Sequence, residues 1–326
     1  MASGPAHVDT LTAATLDRYV SNVAEDQIFG QMRTLKLLIS KGRKADGGGS
    51  KIRQPLLYRE GFADEFQDWD TLPSRRPEII TDAEYDRVNY EGDLVLNKFR
   101  LIENRGKERR LNYAKEMADT AMLSIRNKLQ NHFVTQTTTG ANRLTTIHDL
   151  MNPLDTTIGG FSGVTYDWWQ PQSSTQVAFI TGDVGMDAFQ TVYNDCQKRT
   201  GQTPDLGPMH QTVWEAFARR WRPNIRLSDE KMLEAGIENI KYNSLTCYFE
   251  PDMGTPQIGG VDHFPAYMIN SNHIKLWVVP EYDFTRTPDI TPDKQPQIFL
   301  SYILWRGAIG MSCRNASGRV MFSGVA

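Results

Sequence analysis

The chain has 326 residues, with 36 basic and 39 acidic side chains, a formal net charge of −3 and 40% hydrophobic residues. That balance is globular, with apolar material for one large or two medium cores, and it excludes wholesale disorder, a collagen-like repeat and a domain that coats nucleic acid through a basic excess. The longest apolar runs, 276–279 and 299–305, are far too short to cross a bilayer, and residues 1–15 lack the basic start and apolar stretch of a secretory signal. Three scattered cysteines, Cys196, Cys247 and Cys313, fit no metal spacing and read as reduced thiols, each a small apolar group.

In chain order, residues 10–41 read as a helical arm, with Leu16, Val20, Val23, Phe29, Met32, Leu35 and Ile39 at three- and four-residue steps. The basic run Lys41-Gly42-Arg43-Lys44 suits a helix C-terminus, and Gly47-Gly48-Gly49 makes a joint that must bend. Two extended segments follow, 52–58 and 84–99, the second alternating in part through Tyr85, Val88, Tyr90, Leu94 and Leu96 as a two-stranded ribbon with few core contacts would. Residues 59–93 hold eleven acids against four bases, a net of −7. A lone ribbon is barely stable in water, so something must hold it, either its own domain or another body.

The strongest periodicity runs over 107–135, with Leu111, Ala114, Ala118, Ala121, Ile125, Leu129 and Phe133 along one stripe. It predicts one helix of about 28 residues, roughly 42 Å long, a strut rather than an ordinary helix. Residues 98–128 carry nine bases and four acids, so an acidic ribbon directly precedes a basic helix, and such complementary patches set register between copies or lie together within one chain. Beyond it, Gly159-Gly160 and Gly163 lead to the bulky pair Trp168-Trp169. Strands are predicted at 177–180, 242–250, 266–269, 274–279, 297–311 and 319–323, and helices at 186–199 and 209–221. The irregular mixture predicts an α+β fold.

Motifs for chemistry are scarce. No nucleotide-binding glycine loop, nucleophile elbow or H-E-x-x-H is present, and no cofactor is predicted. The nearest approach to a metal constellation is Asp262-His263 with Asp183 and His210, the basis of an alternative reading as a metal-dependent α+β hydrolase. Arg219-Arg220-Trp221-Arg222 suits a subunit contact rich in arginine and tryptophan better than nucleic acid, because the whole-chain charge gives nucleic acid no support.

The order of parts (helical arm, glycine joint, acidic ribbon, very long helix, mixed domain ending in long strands) resembles the major capsid protein of tailed bacteriophages, a fold also found in encapsulins and herpesvirus capsid floors. The residues that carry the resemblance are Gly47-Gly48-Gly49-Ser50-Lys51-Ile52-Arg53-Gln54-Pro55-Leu56, the helix over 107–135, Ile158-Gly159-Gly160 leading to Trp168-Trp169, and Tyr267-Met268-Ile269-Asn270 running to Leu276. The resemblance implies an N-terminal arm (1–51), an extended loop (52–98), a peripheral domain with a spine helix (99–171), an axial domain (172–282) and return strands of the peripheral domain (283–326). It further implies a non-enzymatic subunit whose pentamers and hexamers close an icosahedral phage head around packaged double-stranded DNA, assembled in the host cytoplasm without a membrane. An encapsulin-like compartment shell is the alternative.

The implied partners are other copies of the chain, a separate scaffolding protein, a portal, a cementing or decoration protein, and DNA through weak non-specific contact. Subunit-contact residues are expected at Trp69, Arg75, Arg76, Arg109, Arg110, Trp168, Trp169, Arg219, Arg220 and Trp221. Two features depart from family variants. Residues 52–97 contain no lysine, which argues against a lysine–asparagine weld on the extended loop, and Met1 stands about ten residues before the arm, which implies that no long scaffolding segment is fused to it.

Overall fold

The computed structural model describes residues 33–35, 37, 43–45, 49–68, 78–99, 107–135, 142–153, 157–176, 184–221 and 239–323. Two sheets organise it. The first has the order β1-β14-β15-β4, made of β1 (Arg43–Ala45), β14 (Ile274–Arg286), β15 (Ile298–Met311) and β4 (Val88–Asn97). Strands β4, β15 and β14 are antiparallel neighbours, and β1 runs parallel to β14. Strict alternation in β4 turns Val88, Tyr90, Leu94 and Leu96 inward and Asn89, Glu91, Asp93 and Val95 outward, the pattern of a strand with one buried face.

The long helix α1 (Lys107–Gln130) lies across that inward face, burying Ala118, Ala121, Met122, Ile125 and Leu129. Gly92 in β4 permits the approach, since a Cβ there would stand 2.9 Å from the Ala121 carbonyl oxygen and from Ile125 Cγ1. The helix ends in a π-turn (Asn131–Thr135), followed by the short helix α2 (Ile147–Leu150) that Thr146 caps through its side chain. Three pairs of strands stand apart from the two sheets: β2 (Ile52–Leu57) with β3 (Ile80–Tyr85), β5 (Thr157–Ile158) with β6 (Phe161–Ser162), and β11 (Gln257–Ile258) with β12 (Val261–Asp262).

The second sheet has six strands in the order β7-β16-β13-β8-β10-β9. These are β7 (Gln172–Gln176), β8 (Leu206–Met209), β9 (Asn239–Tyr242), β10 (Leu245–Phe249), β13 (Phe264–Met268) and β16 (Gly318–Phe322). Helices α3 (Val184–Thr200) and α4 (Gln211–Trp221) supply its core with Phe189, Val192, Tyr193 and Cys196, and with Val213, Trp214 and Phe217. A second hydrophobic cluster holds the long helix, the four-stranded sheet, Trp169 and Leu35. The chain is α+β, as the sequence predicts.

The structure corrects several sequence expectations. Residues 84–99 are not one ribbon strand: they divide at Asp86-Arg87 into β3, which pairs with β2, and β4, which pairs with β15. Arg43–Ala45, read as the end of a helix, is an edge strand beside Leu276–Val278. The 242–250 strand is a hairpin of β9 and β10, turned at Asn243 with φ of +52°. The strand from Ile274 continues to Arg286 through an irregularity that carries buried Phe284 at φ of +53°. The arm (10–41) lies outside the described residues except at 33–35 and 37, as does the strand predicted at 177–180.

Candidate assembly surface

The β2–β3 ribbon has two unlike faces. Register places Ile52 opposite Tyr85, Gln54 opposite Ala83 and Leu56 opposite Thr81, and of these Ile52, Leu56, Ala83 and Tyr85 are buried in the chain's own core. Tyr85 fixes the root. Its hydroxyl donates to the Met311 carbonyl at 2.7 Å and accepts from the Met311 N–H at 3.0 Å, while its ring stacks on Trp277 at 5.6 Å between centroids. Pairing between β4 and β15 stops at Gly307, so beyond it the phenol stands at Met311 where a further strand would have bonded. Gly310 makes room, because a Cβ there would fall 2.5 Å from the Tyr85 ring. Burial pushes the phenol pKa up to about 12, which keeps it a neutral donor. Two further ties are Glu84 N–H to the Gly159 carbonyl at 3.1 Å and Lys275 Nζ to Gln54 Oε1 at 3.0 Å. Gly159 takes φ of +66° and passes so close to Ala83 that any side chain would collide with it.

The opposite face and the outer loop point away from the molecule. Leu57 and Ile80 sit directly across from each other, 75% and 67% exposed, and Phe62 and Phe66 are 52% and 65% exposed. Between them lie the exposed carboxylates Glu60, Asp64, Glu65 and Asp68. Four large apolar side chains thus lie in the open at and beyond the outer end of the ribbon.

The sequence-predicted contact residues separate. Trp169 is enclosed at 1% exposure, its Nε1–H donating to the Ile158 carbonyl at 2.9 Å under the Arg314 guanidinium. It is an anchor of its own chain, and its ring offers no surface to a neighbour. Trp168 is half-buried in an aromatic ledge with Phe161, Tyr166 and Tyr58, the last just past Leu57 at the outer end of the ribbon. Arg219 and Arg220 are exposed on the last turn of α4, Arg219 lying 3.7 Å from Glu215. Arg109 and Arg110 begin α1 and Trp221 ends α4, with their side chains outside the described residues; Trp69, Arg75 and Arg76 lie outside them altogether.

The residues of the hydrolase alternative have local structural partners. Asp262 accepts from Gln257 Nε2 across the β11–β12 turn, buried His263 donates Nδ1–H to the Val261 carbonyl at 2.8 Å, and His210 Nδ1 accepts the Thr212 N–H at the start of α4. Asp183 lies outside the described residues, and among those residues no group of three metal-ligating side chains forms. No helix of the described residues is long and apolar enough to cross a membrane.

One buried polar cluster was missed in the sequence. Arg314, fully buried, donates to the carbonyls of Leu150, Asp149 and Asn152 and so closes the C-terminal end of α2. Arg319 donates to Asn152 Oδ1 and faces His148, whose pKa is lowered to about 3 by burial and by the Arg319 charge. Both arginines stand beside a turn, Asn315–Gly318, where no periodicity marks them as core.

No family model and no curated protein matches the sequence. Solved structures do. The capsid asymmetric unit of cyanophage A-1(L) superposes with a TM-score of 0.65 at 11% identity, covering 91% of this chain and 93% of that one. The fold is that of a tailed-phage capsid protein. The capsid of Myoviridae phage XM1 shares it, with a TM-score of 0.51 at 12% identity over 87% and 90% of the two chains. So does the SrpI encapsulin of Synechococcus elongatus PCC 7942, with a TM-score of 0.51 at 8% identity over 89% and 88%. The capsid fold thus spans nearly the whole chain, and at these identities it is common architecture rather than common sequence.

Proposed function

We propose that the chain is a self-assembling major capsid protein whose pentamers and hexamers close an icosahedral phage head around double-stranded DNA. The observation that carries this reading is the ribbon: its root is built into its own core, while its outer face and acidic, phenylalanine-bearing loop are exposed on a capsid fold. A neighbouring copy covers that surface on assembly, adding buried area without enlarging any single core. The absence of a lysine from residues 52–97 supports a shell held by non-covalent contacts or a cementing partner.

In this reading residues 1–51 are the arm, 52–98 the extended loop, 99–171 the peripheral domain with α1 as its spine, 172–282 the axial domain and 283–326 the return strands. Strand β16, within 283–326, pairs in the six-stranded sheet, which supports counting that last strand with the axial domain rather than with the return strands. Trp168, Arg219, Arg220 and Trp221 are subunit contacts, as are Trp69, Arg75, Arg76, Arg109 and Arg110, with Trp169 supporting Trp168 from beneath. Separate scaffolding, portal and decoration proteins complete the head, assembly takes place in the host cytoplasm, and the near-neutral net charge suits a wall that touches DNA weakly. The chain performs no catalysis and needs no cofactor.

Negative-stain microscopy of the purified protein tests the proposal. Closed shells of uniform diameter are expected, and monomers under every salt and pH condition would overturn it. The encapsulin likeness supports a compartment shell as second reading; particles purified from their native source with protein cargo and no nucleic acid would favour it.

A further inference from the structure

The segment just before the first strand is bound into its own subunit by one buried carboxylate. Glu250, at the end of β10, is 1% exposed. Its Oε2 accepts the Thr34 N–H at 3.2 Å and the Thr34 hydroxyl at 2.7 Å, and its Oε1 accepts Gln130 Nε2 at 3.2 Å from the last turn of α1. Tyr248 donates its hydroxyl to Thr34 Oγ1 at 3.0 Å, and Gln130 also donates to Asp252 Oδ2 at 2.6 Å. Arg33 closes the other side, donating to the Phe249 carbonyl at 3.0 Å with its guanidinium 4.5 Å from the Phe249 ring centre. Thr34 and Leu35 are both buried, Leu35 within the larger core cluster. Three parts of the molecule that are far apart in sequence, the Arg33–Leu35 segment, the end of the long helix and the end of a strand of the six-stranded sheet, therefore meet on one side chain.

We propose that Thr34 and Glu250 form a proton-sensitive clasp that fixes the amino-terminal segment to its own subunit, so that any exchange of the arm between copies occurs upstream of Arg33. The clasp is a property of the single chain and stands whether or not that chain builds shells. Its sensitivity follows from what faces the carboxylate. Thr34, Gln130 and Tyr248 are neutral, Arg33 is the one cation acting on it among the described residues, and Asp252 is a second anion on the side of Gln130. Burial dominates and holds the Glu250 pKa above its ordinary value of 4.5, with Asp252 acting in the same sense and the Thr34 bonds and Arg33 opposing. A carboxyl whose pKa is raised in the closed state binds its proton more tightly there than when open. Acid therefore tightens the clasp, and it loosens as pH rises from the ordinary value through the raised one.

Amide hydrogen exchange on the full-length chain tests this, with every variant compared in the same assembly state and rates corrected for the intrinsic effect of pH. Protection of Thr34 and Leu35 is expected to fall as pH rises above the ordinary carboxylate value of 4.5 and through the raised one, while β10 amides keep theirs. Glu250→Gln should abolish that slope, and Thr34→Val, which keeps the backbone bond and loses the hydroxyl, should cost about threefold to tenfold in protection of the segment. Glu250→Ala should release it by more than about tenfold, and Thr34→Val carries the test if that variant does not fold. A flat pH profile in the natural chain, a slope that survives Glu250→Gln, or protection at 33–37 unchanged by both Thr34→Val and Glu250→Ala would overturn the proposal.

Discussion

The inner and the outer face of the ribbon belong to one hairpin and obey opposite rules. On the inner face, Tyr85 fills the place of a missing strand at Met311, Ala83 presses on Gly159, and Ile52 and Leu56 are core residues. On the outer face, Leu57 and Ile80 lie across from each other, largely exposed, and the loop beyond adds two exposed phenylalanines among carboxylates. On the proposed function, the difference separates folding from assembly: substitutions on the inner face are expected to act on the stability of one chain, and those on the outer face on association.

Substitutions break or sharpen that contrast. Tyr85→Ala removes a buried ring and orphans both polar groups of Met311, and should cost about 3–5 kcal/mol in denaturant unfolding. Tyr85→Phe isolates the hydroxyl and should cost about 1–3 kcal/mol. Next is Gly92→Ala, whose Cβ would meet backbone on the long helix; about 1–3 kcal/mol is expected in the same measurement. The double variant Leu57→Ser with Ile80→Ser reverses the pattern: stability stays within about 0.5 kcal/mol, while shell yield by sedimentation falls severely. A stability loss at Leu57 equal to that at Tyr85 would erase the contrast. The smallest effect is expected for Arg109→Glu with Arg110→Glu, which should lower assembly yield more at low salt than at high salt if the acidic ribbon and basic helix meet between copies. Equal yields at both salts would separate the two.

Much of this was legible in the sequence, for reasons that differ by element. The long helix announces itself because Ala118, Ala121, Ile125 and Leu129 keep helical spacing on one buried face, and β4 because its alternation is unbroken from Val88 to Leu96. The division of the 84–99 stretch was not legible, since Tyr85 and Val88 are both inward residues of their strands and only pairing shows that they belong to different partners. Nor does sequence distinguish Trp168 from Trp169, adjacent and identical in type, one half-exposed in the ledge and the other sealed. Arg43–Ala45 misleads because a basic run after a helical pattern suits a helix end, and only β14 supplies the partner that makes it a strand. Arg314 and Glu250 are charged residues in the interior, which hydrophobic patterning cannot report; their partners come from segments about 160 and 220 residues away.

Cysteine labelling tests the central claim most directly. Leu57→Cys on the outer face should react with a maleimide in dissociated subunits and be protected in assembled particles, with buried Cys196 and Cys247 unreactive in both. Equal labelling of Leu57→Cys in subunits and particles would contradict the account, because the outer face of the ribbon would then have no neighbour upon it.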